Sequence, residues 1–174
     1  GFLCQKNRKR VPRLVLGKRT GKKINNLTKK IFSNMWEKKF EKYVAVTGMP
    51  GIYKIGATRN NGLLIKSMDT GKTKFISMRK HQFTPLETVS IYTNDDTEEL
   101  SKVFRNMLDQ YEDNPPPSIK AAASDLFDYF EDVLPNFDKD QVFIGDIKKI
   151  IKWFNYLKDR DFFITGDDDE DEEE

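Results

Sequence analysis

Short segments in which apolar and polar residues alternate run through the first half of the regular part of the chain. Between residues 43 and 93, these segments are bounded by glycine, proline, asparagine and aspartate. A period of two residues is typical of β-strands, and the bounding residues are typical of turns. The pattern predicts five strands, at residues 43–47, 52–58, 63–68, 74–78 and 89–93.

The turns between these strands carry residues with specific backbone requirements. Gly48 and Gly51 allow a tight turn, and Asn61-Gly62 predicts a two-residue hairpin turn with positive φ angles. Gly56 lies inside a predicted strand, where glycine permits a bulge or a sharp bend. Short strands at this spacing are typical of a small SH3-like five-stranded barrel, and a strongly bent antiparallel sheet that stays open fits the same pattern.

Beyond residue 93 the apolar period changes from two to 3.6, which predicts about three α-helices. The fold class is therefore α+β. At least one helix should pack on the sheet, because neither half can form a large core alone. The predicted helices are residues 97–112, capped by Asp95, Asp96 or Thr97; residues 118–134, with Ser124 as the N-cap; and a segment that opens at Gly145 or Asp146.

Charge divides the chain into three parts that the net charge of +2 conceals. Residues 1–34 contain 11 Lys or Arg and no acid, residues 35–166 contain 19 basic and 20 acidic residues, and residues 167–174 are eight acids. We expect residues 1–34 to be a disordered basic arm or a non-native extension, with Met35 as the natural start. The predicted organisation continues with a strand-rich, barrel-like domain at 35–94, a helical domain packed on it at 95–163, and a disordered acidic tail at 164–174.

Composition narrows the kinds of site that the chain can form. Its one cysteine, Cys4, and one histidine, His81, cannot make an internal disulfide or the usual zinc site. The sequence has no run of about 18 to 20 apolar residues that would span a membrane and no apolar leader with a cleavage site. We therefore predict a cytoplasmic protein without a membrane partner, a metal or a cofactor.

Two motifs resemble ligand-binding loops, but the residues in and around them exclude the corresponding sites. GIYKIGAT, residues 51–58, differs from a phosphate-binding loop by Ala57 in place of lysine, and another predicted strand follows it where a helix would be needed. The acidic segment that begins at Asp138 has Phe143 where a calcium loop requires glycine and Lys149 where it requires glutamate. His81 has no recognisable catalytic partners, so the sequence predicts no catalytic residue.

Three longer strings resemble a known family. VAVTGMPGIYKI, LETVSIYT and LPNFDKDQVFIGDIKKIIKWFNYL followed by the acidic tail are similar to a conserved family of uncharacterised proteins from the bacterial phylum Bacteroidota, described as a domain of unknown function. The resemblance covers residues 36–174 and leaves out residues 1–34. Because the family carries no assigned activity, cofactor or catalytic residue, the resemblance implies membership of that family and no particular function.

Two binding hypotheses rank above catalysis. The first is a non-enzymatic module that binds an unknown protein partner through aromatic side chains beside the main apolar helix faces, namely Phe127, Tyr129, Trp153 and Tyr156. The alternative is an RNA-binding or ribosome-associated factor that holds phosphates with the basic residues of the strand-rich half, namely Lys54, Lys66, Lys72, Lys74, Arg79 and Lys80. An enzyme of unrecognised type is the weakest of the three hypotheses.

Overall fold

The structure is a computed structural model and describes residues 36–164. The predictions of a basic arm at 1–34 and of an acidic tail beyond residue 164 lie outside the described residues. The boundary between strand-rich and helical domains at 94/95 stays a prediction.

An antiparallel sheet of five strands forms the first half of the described chain. Its order is β4-β3-β2-β1-β5, and a separate two-stranded hairpin pairs β6 with β7. A helical segment at residues 36–39 and a 3-10 turn at Phe40–Lys42 precede the sheet. The strands are β1 Tyr43–Val46, β2 Ile52–Arg59, β3 Gly62–Ser67, β4 Thr73–Ser77, β5 Phe83–Pro85, β6 Ser90–Tyr92 and β7 Thr97–Glu99.

Three helices follow the strands, and the mixed α+β class is confirmed. They are α1 Leu100–Asp109, α2 Ala123–Val133 and α3 Ile144–Lys158. No helix within residues 36–164 is long and apolar enough to cross a membrane.

The SH3-like barrel is not confirmed, because the sheet is open. β4 and β5 are its two edges, and no pairing joins them in the described part of the chain. The strand predicted at 89–93 pairs with residues 97–99 in the separate hairpin instead of completing the sheet. The fifth strand of the sheet is β5, whose three residues include Pro85, and proline has no amide to donate to a ladder.

Glycine positions are predicted correctly in the first turn and in β2, and wrongly in the second hairpin. Gly48 and Gly51 have φ angles of 83° and 87°, and a register shift between Ile55 and Ala57 places a bulge at Gly56. Asn61-Gly62 does not form the turn, because Gly62 already pairs with Arg59 inside β3. A Cβ on Gly62 would overlap the carbonyl oxygen of Ile76 in β4, so close strand approach explains this glycine.

The helix starts differ from the predicted caps. α1 begins only at Leu100, because residues 97–99 use their backbone groups in β7, and none of the predicted caps precedes the helix directly. α2 begins at Ala123, so Ser124 lies inside the helix rather than at its N-cap. α3 begins at Ile144, and the carboxylate of Asp146 accepts a hydrogen bond of 3.1 Å from the Phe143 amide.

Two apolar clusters lie on the two faces of the sheet, and the larger one joins the helices to it. The larger cluster combines residues of all three helices with Ile52 of β2 and with Leu86, and the rings of Phe104, Phe154 and Phe163 meet at its centre. This cluster confirms that helices pack on the sheet. The smaller cluster lies on the other face of the sheet and contains Val44, Val46, Leu63, Ile65 and Ile76.

Candidate functional site

A cleft of about 420 Å³ lies between α3 and the end of β1. Its floor is the turn that joins β1 to β2, and Thr84 of β5 and Ile119 of the segment before α2 close its sides. We call it the α3 cleft. Its lining residues are Ala45, Val46, Thr47, Gly48, Met49, Gly51, Thr84, Ile119, Gly145, Lys148, Lys149, Lys152, Trp153 and Tyr156.

The β1–β2 turn has a shape that depends on its two left-handed glycines. At Gly51, an added Cβ would lie 2.7 Å from the ring of Tyr156, so the absence of a side chain lets α3 approach the turn. The hydroxyl of Tyr53 donates a hydrogen bond of 2.8 Å to the carbonyl oxygen of Pro50. A ring nitrogen of His81 lies 3.0 Å from the carbonyl oxygen of Thr47. These two contacts restrain the turn at the floor of the cleft.

Three lysines of α3 line the same cleft. Lys148, Lys149 and Lys152 project from the helix because its other face is buried, through Ile147 and Ile151 among others. The cleft lining contains no aspartate or glutamate. Within the described part of the chain, none of the three lysines forms an ion pair. The side chains that line the α3 cleft therefore carry a net positive charge.

Two aromatic side chains and an isoleucine supply the apolar surface of the cleft. Trp153 and Tyr156 are both half-buried, and Ile119 is 38% exposed. The ammonium group of Lys149 lies 5.8 Å from the ring centroid of Trp153, and the guanidinium of Arg160 lies 3.5 Å from that of Tyr156. Both rings thus have a cation on one face.

Asp69 ties the β3–β4 turn to the end of α3. Its carboxylate accepts hydrogen bonds of 2.6 Å from Nε of Arg160 and 3.3 Å from the hydroxyl of Tyr156, and a second guanidinium nitrogen completes an ion pair. Arg160 also donates a hydrogen bond of 2.8 Å to the Tyr156 carbonyl oxygen. Burial raises the pKa of Tyr156; the charge of Arg160 opposes this shift and that of Asp69 adds to it. Tyr156 therefore stays a neutral donor at physiological pH.

A second, smaller cleft of about 210 Å³ adjoins the first. Thr84, Lys149 and Trp153 line both clefts, so Trp153 stands between them. The smaller cleft also includes Tyr92, which is 50% exposed. A ligand in contact with Trp153 can therefore extend along the α3 surface in either direction.

The four aromatic residues predicted to bind a partner do not share one surface. Trp153 and Tyr156 line the α3 cleft together. Phe127 of α2 is half-buried and stacks on Phe137 at a centroid distance of 6.4 Å. Tyr129 is only 4% exposed, so its predicted surface position is wrong: the ring packs into the larger apolar cluster.

The six basic residues predicted to bind nucleic acid lie at several places on the sheet. Lys54 and Lys66 face each other across β2 and β3, so they share one face. Lys74 pairs with Ile65, whose side chain lies in the smaller apolar cluster, so Lys74 shares the face of Ile65. This face is opposite to the one that carries Lys54 and Lys66. Lys72 precedes β4, and Arg79 and Lys80 follow it. The strand register thus places Lys54 and Lys66 together and Lys74 on the opposite face.

The sequence alone did not point to the lysines of α3. A sequence signal for them was present, since Lys149 and Lys152 lie four and one residues before Trp153 and none of the three belongs to the buried face of the helix.

The described residues contain no group of three or more His, Cys, Asp or Glu side chains that could hold a metal ion. GIYKIGAT forms the end of a turn and the strand β2, as its context predicts, so its glycines serve backbone geometry.

Comparison with known proteins identifies relatives of this chain. The model of a family described as a domain of unknown function, DUF5606, matches residues 40–86, and that of a second, DUF6852, matches residues 89–157. A solution NMR structure of a protein from Bacteroides vulgatus is 32% identical, with a TM-score of 0.56, over 70% of this chain and 87% of that chain. No curated protein matches the sequence significantly. The chain therefore belongs to the same family as the Bacteroides vulgatus protein, an uncharacterised family of the Bacteroidota.

Proposed function

We propose that the protein is a non-enzymatic cytoplasmic interaction module that binds a segment of a partner protein in the α3 cleft. The observation that carries this proposal is the meeting of Trp153, Tyr156 and the exposed Ile119 in one concave site. Apolar anchors in a pocket with a polar rim are typical of the centre of a protein interface.

The surroundings of the two rings favour a protein segment over nucleic acid. Proteins that bind single-stranded nucleic acid stack bases on free aromatic faces. One face of Tyr156 is covered by Arg160, and its edge abuts Gly51, so the ring is poorly placed for stacking. Its remaining surface and that of Trp153 suit aliphatic or aromatic side chains that enter the cleft.

A matched pair of variants tests the proposal by affinity purification from the cells that make the protein. Trp153→Ala removes the central anchor, whereas Met78→Ala removes an apolar side chain that is 54% exposed outside the cleft. We expect wild type and Met78→Ala to recover the same partner and Trp153→Ala to lose it, with all three proteins folded by circular dichroism. Recovery of the same proteins by all three would contradict the proposal.

RNA binding is the second candidate, and the shared face of Lys54 and Lys66 is the observation that favours it. Binding of this kind is mainly electrostatic and weakens steeply with salt. Protein that starts at Met35 is mixed with total RNA at low salt, beside a Lys54→Gln/Lys66→Gln variant. Retention that the variant loses supports this candidate, and no retention by the parent protein rules it out.

A further inference from the structure

We infer that the partner segment in the α3 cleft is acidic, with carboxylates placed next to apolar side chains. This inference rests on the proposed function and adds the chemistry of the ligand. Its basis is the charge of the cleft lining, which is independent of the apolar contacts that support the proposed function.

The lining of the cleft is more basic than the described chain taken as a whole. Residues 35–166 carry 19 basic and 20 acidic residues, so that part of the protein is nearly neutral. The cleft lining nevertheless contains three lysines and no carboxylate. Two lysines elsewhere in the described chain form ion pairs: Lys102 pairs with Glu98 at 2.9 Å and Lys139 with Glu131 at 3.0 Å. In the cleft, three lysines without an ion pair to any described residue line one concave site.

The spacing of the lysines fits a ligand that lies along the helix. Lys148 and Lys152 are one turn apart on α3, a separation of about 6 Å along the axis. Lys149 stands at the boundary with the smaller cleft. Successive side chains on one face of an extended peptide repeat at about 6.6 to 6.8 Å, which is close to the helical repeat. Alternate carboxylates of an extended segment can therefore each meet a lysine.

Apolar side chains of the same segment have matching contacts. Side chains of an extended peptide alternate between two sides, so apolar residues can stand between the carboxylates. Trp153, Tyr156 and Ile119 line the same cleft as the lysines and offer apolar contacts to these residues. Lysine is a compact, strongly hydrated charge that attracts carboxylates without fixing their orientation. We therefore expect the cleft to bind acidic segments of different sequence rather than a single sequence.

The test uses a fluorescently labelled synthetic peptide in which glutamate alternates with leucine, and its counterpart in which glutamine replaces every glutamate. Binding to the full chain is measured by fluorescence polarisation at low and at physiological salt. We expect the acidic peptide to bind at least about tenfold more tightly than the glutamine peptide at low salt, and this difference to shrink as salt screens the charges.

Two triple variants with the same change in charge locate the binding site. Lys148→Gln/Lys149→Gln/Lys152→Gln should weaken the acidic peptide by about tenfold or more and leave the weak binding of the glutamine peptide unchanged. Lys38→Gln/Lys102→Gln/Lys139→Gln, outside the cleft, should leave both unchanged. All six positions are at least partly exposed, so both variants should fold.

Several outcomes would overturn the inference. They are equal binding of the two peptides, equal loss in the two triple variants, and tighter binding of a single-stranded RNA oligonucleotide that the three α3 lysines mediate. If the peptides bind equally while Trp153→Ala still loses the partner in the affinity purification, the acidic chemistry is wrong and the proposed function stands. If Trp153→Ala retains the partner, the proposed function itself fails.

Discussion

The two glycines of the β1–β2 turn have nearly the same backbone conformation and different surroundings. Gly48 has open space where a Cβ would stand, whereas a Cβ on Gly51 would meet the Tyr156 ring. Gly48→Ala should therefore cost only the backbone strain of a positive φ, about 1 kcal/mol of unfolding free energy. Gly51→Ala should cost at least about 1 kcal/mol more, because Tyr156 must also move. Denaturant unfolding of both variants measures the difference.

Equal destabilisation by the two substitutions would contradict the close approach of α3 to the turn. A loss of partner binding in Gly51→Ala that is greater than in Gly48→Ala would agree with the α3 cleft as the binding site. Gly48→Ala serves as the control for the backbone strain that both variants share.

Tyr129 is a buried aromatic residue whose hydroxyl is costly to bury. This hydroxyl has no hydrogen bond of good geometry within the described part of the chain, and burial raises the pKa of Tyr129 to about 12, although Gln110 opposes this shift. Tyr129→Phe should leave the unfolding free energy unchanged or raise it by up to about 1 kcal/mol, since an unsatisfied polar group is removed. A loss of partner binding in this variant, with stability unchanged, would instead restore Tyr129 to the binding surface.

The raised pKa of Tyr129 also makes a prediction about stability at alkaline pH. Between the unfolded pKa near 10 and the folded pKa of about 12, only the folded state keeps the proton. Stability that this group contributes is therefore present below pH 10 and is lost as the pH rises towards 12, by up to about 2 kcal/mol. Denaturant titrations at neutral and alkaline pH should show a smaller loss in Tyr129→Phe than in the wild type; an equal loss would contradict the assignment.

At the scale of elements, the Asp69–Arg160 pair links a sheet turn to the end of α3. Asp69→Asn should lower the unfolding free energy by less than about 1 kcal/mol, because its side chain is half-exposed. Its larger effect should be on the cleft: in amide NMR spectra, shifts should extend to Gly51 and Trp153. Lys102→Gln, which breaks the ion pair between α1 and Glu98 of β7, is the control and should leave these signals in place. Identical spectra of Asp69→Asn and wild type around the cleft would contradict the link.

The elements also show how far local pattern determines this fold. Four of the five sheet strands coincide with short predicted segments that are bounded by turn residues. β5 does not, since its three residues are too few to carry a period and Pro85 disfavours strand structure. Residues 97–99 have a sequence suited to a helix start, and their pairing with residues 90–92, a tertiary contact, makes them a strand.

The candidate site is predictable in part for the same physical reason. The apolar period of α3 marks which residues are buried, so it leaves Trp153 and Tyr156 beside the buried face. The apolar period does not show which residues lie across the cleft from Trp153 and Tyr156. The opposite wall comes from residues about a hundred positions earlier, and Gly51 contacts Tyr156 only because the sheet and α3 share a core. The surface position predicted for Tyr129 is wrong for the same reason, because the apolar period of its own helix does not show which element covers the ring.

At the scale of the whole molecule, the positive charge of the α3 cleft is local. The sum of charges over the chain is +2, and it arises from strongly basic and strongly acidic ends that the structure does not describe. Between them, the nearly neutral residues 35–166 contain one acid-free cleft with three lysines. Charge complementarity steers association and selects partners more than it supplies affinity. We therefore expect the apolar side chains of the cleft to determine how long a partner stays bound. The lysines should determine which partner is selected.

Photo-crosslinking from the wall of the cleft tests the central claim most directly. A photoreactive amino acid replaces Ile119, which is 38% exposed in the α3 cleft, or Met78, which is 54% exposed outside it. Each purified protein is mixed with an extract of the cells that make it and irradiated. We predict a discrete protein adduct from position 119 that Trp153→Ala abolishes, and none from position 78. Adducts of equal yield from both positions, or an adduct at 119 that persists in Trp153→Ala, would contradict the assignment of the α3 cleft as the partner site.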